Sequence, residues 1–150
     1  MLINEDLIIL NLPAKTKKEA IKLLSEQAQK AGRVRDVNGY IQAVLAREEQ
    51  YSTGVGFGVA IPHGKTDAVT EPFLMFATVQ SLDWKSLDKK DVNMIFAIGV
   101  PEKDSSTLHL RILSRLSRKL MQADFRSSLT EAKTPGDIIK LLKDSDLGIE

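Results

Sequence analysis

Histidine is scarce in this sequence of 150 residues, and both copies stand where an imidazole can do chemistry. His63 closes a glycine-rich segment and follows Pro62, which fixes its own backbone and favours an extended Ile61. Gly64, directly after the histidine, leaves room for an unusual turn or a close partner. Because the unperturbed pKa of imidazole is about 6.5, much of it is neutral and nucleophilic near pH 7. The pattern fits either a nucleophilic histidine or a structural one that caps a turn.

The second imidazole, His109, lies on the helix that the sequence predicts most strongly. His109, Leu113, Leu116 and Leu120 fall on one helical face, so the histidine begins an apolar stripe. A lone histidine on such a face is more often a core residue than a functional one. In the functional alternative His109 donates a hydrogen bond to a bound anion, and the nearby helix N-terminus favours the negative charge.

Arg47 is the third candidate for a functional side chain. It follows the apolar face of a predicted helix and shortly precedes the glycine-rich segment, so we expect it near His63. A guanidinium group presents planar, paired donors that match the oxygens of a phosphate. The alternative is ordinary surface charge, since Glu48 and Glu49 follow directly.

Other chemistries have little support in the sequence. The glycines at positions 54, 56 and 58 have neither the spacing of a dinucleotide fingerprint nor the Gly-Lys-Ser/Thr ending of a nucleotide-binding loop. The chain has no cysteine, and its two histidines have no recognisable zinc-binding spacing. Ser52, Ser105 and Ser106 lack the setting of a nucleophile elbow. We therefore predict no cofactor and no metal site.

The overall composition predicts a soluble, cytoplasmic protein. Hydrophobic residues make up 43% of the chain and charged residues 27%, with a formal net charge of +1. That balance gives no general electrostatic reason to bind nucleic acid or an acidic membrane surface. The lack of cysteine favours a reducing compartment. The N-terminus lacks the basic residues of a secretion signal, and no segment approaches the ~20 apolar residues of a membrane span, so we predict no direct membrane insertion.

The first part of the chain predicts one strand and two helices. Residues Leu7 to Leu12 form a short aliphatic run that is typical of a strand. Thr16 and Glu19 fit a capping box, which opens a helix that we expect to stop near Gly32. A second helix contains Tyr40 and runs into Arg47 and the glutamates after it.

The remainder predicts several strands followed by three helices. Residues 53–62 indicate an extended segment whose alternating glycines leave one side bare around His63. Phe73–Val79 and Val92–Val100 are aliphatic runs typical of central strands, and Ser105–Met121 is the best helix. Thr134 caps the last helix. This order predicts an α/β fold, a three-layer α/β/α sandwich with a mixed central sheet, as a single domain over residues 1–150.

The combined pattern resembles a known family. The run from Arg47 through Gly56, followed by Ala60-Ile61-Pro62-His63, is similar to the signature of the fructose–mannitol type IIA domains. These domains belong to the phosphoenolpyruvate-dependent sugar phosphotransferase system. The resemblance continues through residues 93–98 and the helix that carries His109, so it covers nearly the whole chain.

The resemblance implies a phosphotransferase component with a phosphohistidine intermediate. His63 would accept a phosphoryl group from the phosphohistidine of the carrier HPr, as a tele-phosphohistidine, and pass it to a cysteine of the IIB component. Arg47 and His109 would line the site and stabilise the phosphoryl oxygens. One departure is Phe57, where the family more usually has a polar or acidic residue. We expect this aromatic residue to make the rim of the site more apolar.

Two alternatives stay open. The first is a regulatory, nitrogen-related IIA paralogue, whose phosphorylation state controls protein binding and feeds no transporter. The second is a structural or ligand-binding α/β domain that is never phosphorylated. The sequence does not encode the sugar, because IIA domains contact protein partners.

Overall fold

The computed structural model describes residues 2–104, 107–145 and 147. Over these residues the chain forms five α-helices, one short 3₁₀ helix and six strands of one sheet. The elements in chain order are the 3₁₀ helix Glu5–Leu7, β1 (Ile8–Ile9), α1 (Lys17–Lys30), α2 (Val37–Gln50), β2 (Gly54–Gly56), β3 (Val59–Ala60), β4 (His63–Lys65), β5 (Phe73–Leu82), β6 (Val92–Val100), α3 (Leu108–Leu120), α4 (Ala123–Glu131) and α5 (Pro135–Asp144).

The sheet is mixed, with the strand order β1-β5-β6-β3-β2. Its centre is the long antiparallel pair β5–β6, and β1 runs parallel to β5. Strands β3 and β4 both run parallel to β6. Val59 of β3 lies opposite Met94, and His63 of β4 lies opposite Ile98. The segment from Val59 to His63 therefore runs alongside β6, in the same direction as that strand.

Helices cover the sheet in two groups. Helix α1 packs on α2, and α2 contacts β4. The second group comes later in the chain: α3 contacts β6 and α4, and α5 contacts α4 and β1. Residues 94–100 of β6 are all buried, as expected for a strand with both faces covered. The buried apolar residues form one hydrophobic core. The predictions of an α/β fold and a mixed sheet are confirmed.

Helix ends follow the predicted capping residues, with one difference. The Thr16 side chain accepts a hydrogen bond from the Glu19 backbone N–H, and Glu19 in turn accepts from the N–H of Lys15 at 2.7 Å. The reciprocal bond thus lies one residue earlier than in a complete capping box. The complete form occurs at Thr134 and Asp137, which start α5.

The first strand is shorter than predicted. The sequence indicates a strand over Leu7–Leu12, but Leu7 ends a 3₁₀ helix and β1 contains only Ile8 and Ile9. Asn11 has a left-handed φ of 63°, which ends the extended run, and its N–H donates to Thr78 Oγ1 at 2.8 Å. The sequence predicts a helix from Ser105, and the described helix α3 begins at Leu108. Ser105 and Ser106 lie outside the described residues.

Within the described ranges, no helix is both long enough and apolar enough to cross a membrane.

Candidate functional site

His63 is the first residue of β4, and its ring is half-buried. Ring atom Nδ1 lies 2.9 Å from the carbonyl oxygen of Ile61. A carbonyl oxygen can only accept a hydrogen bond, so Nδ1 carries the proton in the neutral ring. The lone pair is therefore on Nε2, which leaves that atom free to act as a nucleophile.

The surroundings of His63 keep its ring neutral. Burial is the main cause that lowers the pKa of His63, and the charges of Arg47 and His109 lower it further. The hydrogen bond to Ile61 and the charge of Glu48 act in the opposite direction without overcoming burial. Because the pKa lies below the ordinary imidazole value of about 6.5, the nucleophilic form dominates at pH 7.

Close packing against α2 places β4 in the fold. A Cβ atom at Gly64 would lie 3.2 Å from the Cβ of Ala43, so strand and helix approach closely at this glycine. The Tyr40 hydroxyl donates to the carbonyl oxygen of Ile98, opposite His63, at 2.9 Å. The prediction that Gly64 allows a close partner is confirmed by α2, while the predicted unusual turn is wrong, because Gly64 is the central residue of a strand.

Arg47 lies in the last turn of α2, on the side of His63. Its Nη1 donates to the carbonyl oxygen of Tyr51 at 2.9 Å. The guanidinium carbon lies 4.2 Å from the centroid of the Tyr51 ring. Since the charge of Arg47 acts on the pKa of His63, the structure brings these two predicted residues within electrostatic range.

A buried polar cluster, Lys17-Glu48-Thr53-Trp84, fixes the chain directly after α2. Glu48 forms a 2.6 Å ion pair with Lys17 and accepts hydrogen bonds from both the backbone N–H and the hydroxyl of Thr53. The Trp84 indole N–H donates to Thr53 Oγ1 at 3.1 Å. Sequence reasoning missed this cluster. One signal was present: Glu48 follows the buried Val44 by four residues, which places it on the buried helix face.

His109 lies in the first turn of α3 and is half-buried. Burial and the charge of Lys65 lower its pKa, while Asp104 has the opposite effect. Its Nδ1 is buried and has no hydrogen-bond partner in the described part of the chain. An unpartnered buried N–H is costly, so the neutral ring carries its proton on Nε2. When His109 is protonated, its positive charge lowers the pKa of His63, so this predicted residue also lies within electrostatic range of His63.

The glycine-rich segment forms a hairpin instead of a clearing around the imidazole. Strands β2 and β3 are antiparallel, and the turn between them has left-handed backbone at Gly56, Phe57 and Gly58. The turn comes just before Val59, which lies opposite Met94 of β6. Met94 is four residues along β6 from Ile98, the residue opposite His63. Four strand residues span about 13 Å. The glycines therefore serve the hairpin and, at Gly54, the close approach of Ser86. The prediction that a bare side lets another group come close is confirmed there, and the prediction of a clearing around His63 is wrong.

Phe57 at the hairpin turn does not reach the rim of the site. Its side chain is 55% exposed, and the Arg126 guanidinium lies 4.1 Å from its ring centroid. Arg126 also donates to the carbonyl oxygen of Leu120, at the end of α3 opposite to His109. The expectation of a more apolar rim is corrected accordingly.

No group of three or more His, Cys, Asp or Glu side chains within residues 2–104, 107–145 and 147 is placed to hold a metal ion.

Comparison with known proteins agrees with the fold and the resemblance. The family described as "Phosphoenolpyruvate-dependent sugar phosphotransferase system, EIIA 2" matches residues 1–145. The PTS system fructose-specific EIIA component of Haloferax volcanii is 45% identical over 130 residues, which cover 86% of this chain and 84% of that protein. The fructose-specific EIIABC component of Bacillus subtilis is 38% identical over 97% of this chain and 23% of that protein. The crystal structure of nitrogen regulatory protein IIA-Ntr from Neisseria meningitidis matches with a TM-score of 0.87 at 27% identity, covering 94% of this chain and 96% of that one.

Proposed function

Since this chain belongs to the EIIA 2 family of the phosphoenolpyruvate-dependent sugar phosphotransferase system, we propose that it is a phosphoryl carrier with His63 as the acceptor. The observation that carries the proposal is the hydrogen bond between His63 Nδ1 and Ile61, which leaves the tele nitrogen Nε2 as the free nucleophile. The donor is the phosphohistidine of HPr, and the next acceptor is a cysteine of a IIB component. A cytoplasmic location is part of the same proposal.

The transfer needs one bond to form and one to break. The Nε2 lone pair of His63 attacks phosphorus in line, while the bond from phosphorus to the ring nitrogen of the donor breaks and its electron pair returns to that ring. His63 keeps its proton on Nδ1, hydrogen-bonded to the Ile61 carbonyl, so the phosphorylated ring is an imidazolium and no base is required. The donor ring carries a proton on its other nitrogen and leaves as a neutral imidazole, so the charges balance. A thiolate of the IIB component then attacks phosphorus, and the bond from phosphorus to His63 Nε2 breaks with its electron pair returning to the His63 ring.

Arg47 and His109 supply donors to the phosphoryl oxygens. Only one donor of the Arg47 guanidinium is used by Tyr51, so others can bind oxygen atoms whose charge grows in the transition state. His109 offers its Nε2 proton, because Nδ1 is buried and has no partner among the described residues. The first turn of α3, where His109 lies, adds the positive end of a helix dipole. The two imidazoles thus have complementary tautomers, one for attack and one for donation.

A regulatory role is the second candidate. The match to a nitrogen regulatory IIA structure, at 27% identity over nearly the whole chain, favours it specifically. In that role His63 is phosphorylated in the same way, but the phosphorylated and unphosphorylated forms of the protein bind different partner proteins. No IIB component then accepts the phosphoryl group. The two roles therefore separate at the second transfer step.

The test of the proposal is phosphorylation in a reconstituted relay. Incubation with phosphoenolpyruvate, enzyme I and HPr should add the mass of one phosphoryl group, in an acid-labile linkage, to the wild-type chain and to His109→Ala. The adduct should be absent from His63→Ala. An adduct on a serine or threonine, or an adduct that survives in His63→Ala, would contradict the assignment. Adding candidate IIB proteins then separates transport from regulation, because only a transport carrier loses its phosphoryl group to their cysteine.

A further inference from the structure

Tyr51 is an exposed aromatic residue that makes two contacts with one functional side chain. It follows α2 in an extended conformation, and its side chain is 61% exposed. Its ring lies under the Arg47 guanidinium at 4.2 Å, and its carbonyl oxygen accepts from Arg47 Nη1 at 2.9 Å. A single residue thus fixes both the plane and one edge of the guanidinium group.

The described residues offer Arg47 no other anchor of comparable strength. None of their carboxylates forms an ion pair with it, although Glu48 is the next residue in the chain. The Glu48 carboxylate is occupied by Lys17 and by Thr53. Without the Tyr51 ring, the long Arg47 side chain would have many solvent-exposed rotamers to sample.

Tyr51 itself is held in place by its neighbours in the chain. The hydroxyl of Ser52 donates to the carbonyl oxygen of Trp84 at 3.1 Å. The Thr53 backbone N–H donates to Glu48, so the two residues after Tyr51 are tied to the buried polar cluster. The Tyr51 ring therefore belongs to a segment whose backbone is fixed, so the ring can restrict the rotamers of the long Arg47 side chain.

We propose that Tyr51 is a positioning residue whose ring holds the Arg47 guanidinium beside His63. Its contact with Arg47 exists in the free protein, and its kinetic consequence rests on the function proposed above. Because the ring already holds the guanidinium beside His63, the Arg47 side chain loses less conformational freedom in each phosphoryl transfer. The outer face of the ring stays exposed and takes no part in this role.

The first test uses His63 as a reporter and needs no phosphoryl transfer. The groups whose charges act on the His63 ring are Arg47, His109 and Glu48, and the Arg47 charge lowers its pKa. An NMR titration of the His63 ring in Tyr51→Ala should show a pKa raised in the same direction as in Arg47→Ala. Tyr51→Phe keeps the ring and should titrate like the wild type, and adding Tyr51→Ala to Arg47→Ala should change nothing further.

Three NMR results would overturn the proposal. These are a wild-type titration in Tyr51→Ala, a Tyr51→Phe variant that behaves like Tyr51→Ala, and an effect of Tyr51→Ala that persists in the Arg47→Ala background. Met121→Ala serves as the matched control, because it removes another exposed apolar side chain near the far end of α3 from His109. Its His63 titration should be unchanged.

The second test is kinetic, with phospho-HPr as the donor. Tyr51→Ala should lower kcat about two- to fivefold, the range that an exposed cation–π contact represents, while Tyr51→Phe restores the wild-type value. A raised KM with unchanged kcat would instead mark Tyr51 as a docking contact and refute a positioning role. If the wild-type chain accepts no phosphoryl group at all, the proposed function fails, and the NMR test still decides whether Tyr51 positions Arg47.

Discussion

Replacement of Glu48 tests how firmly the end of α2 is fixed beside the site. Glu48 Oε1 accepts from Lys17 and from the Thr53 N–H, and Oε2 accepts from the Thr53 hydroxyl. In Glu48→Gln the amide oxygen can keep the Oε1 contacts, and the amide nitrogen can donate to Thr53 Oγ1. That variant therefore removes the charge and keeps the Oε1 contacts, while the contact with the Thr53 hydroxyl reverses its direction, because an amide nitrogen donates and cannot accept.

The magnitudes follow from what each variant leaves unpaired. The Lys17 side chain is 20% exposed, so its ammonium can turn to water after Glu48→Gln, and we expect a loss of about 1–2 kcal/mol in the free energy of unfolding. Glu48→Ala also leaves the Thr53 N–H without its acceptor and removes buried side-chain atoms. For that variant we expect a loss of about 3–5 kcal/mol.

Urea unfolding followed by circular dichroism measures both losses. Glu49→Gln is the matched control, because Glu49 is the exposed neighbour of Glu48, and its effect should stay within about 0.5 kcal/mol. A double-mutant cycle with Lys17→Met separates the ion pair from the other contacts. The reasoning is refuted if Glu48→Gln costs no more than Glu49→Gln, or if Glu48→Ala costs no more than Glu48→Gln.

Three further predictions concern the imidazoles. His109→Ala should slow transfer from phospho-HPr about 10–100-fold while circular dichroism stays that of the wild type, because one preorganised donor to the phosphoryl oxygens is lost; an unchanged rate would make His109 structural. The lowered pKa of His63 should move the acid-side fall in the rate of phosphorylation to a lower pH than an ordinary imidazole, with a pKa of about 6.5, would give. Both histidines bind protons more weakly when folded, so the stability that they contribute is complete above about pH 6.5 and is lost as the pH falls from there through their folded pKa values. Unfolding measured at several pH values should show a shallower pH dependence in the double variant His63→Gln, His109→Gln, and an unaltered dependence would contradict this assignment.

Local patterns in the sequence predict most of the elements correctly. The order of one strand, two helices, several strands and three helices is confirmed. The helix-starting roles of Thr16 and Thr134 are also confirmed, because a cap involves residues only three apart in the chain. Gly32, predicted as a helix stop, follows the last turn of α1 with a φ of 80°. These features depend on short-range chemistry that a single sequence contains.

The errors occur where distant contacts decide. Asn11 adopts left-handed backbone and bonds to Thr78, 67 residues away, which shortens the first strand. A row of alternating glycines suits a bared extended segment and a tight hairpin equally well. The register of β3 on β6 selects the hairpin, and no local pattern contains that register. The contact of Phe57 with Arg126 likewise joins residues that are far apart in the chain, and no local pattern contains it.

The candidate site shows the same division between local and distant information. The sequence indicates His63, Arg47 and His109 as separate residues, and the fold brings Arg47 and His109 within electrostatic range of His63. What each can do depends on contacts that the sequence does not contain. The Ile61 carbonyl fixes the tautomer of His63, and the buried Nδ1 of His109, which has no partner among the described residues, fixes the tautomer of that ring; the roles proposed for the two rings rest on these tautomers.

The contacts of Arg47 extend this argument to the side chains around it. Glu48 carries the opposite charge and is adjacent in sequence, yet it points into the buried cluster and pairs with Lys17. The helix thus separates the two neighbours onto different faces, and the guanidinium rests on an aromatic ring instead of a carboxylate. A carboxylate partner would compete with the phosphoryl group for the same donors, whereas a ring holds the guanidinium from its face and leaves most of its edge donors free. An arginine held in this way keeps its full charge available to the phosphoryl group that we propose His63 accepts.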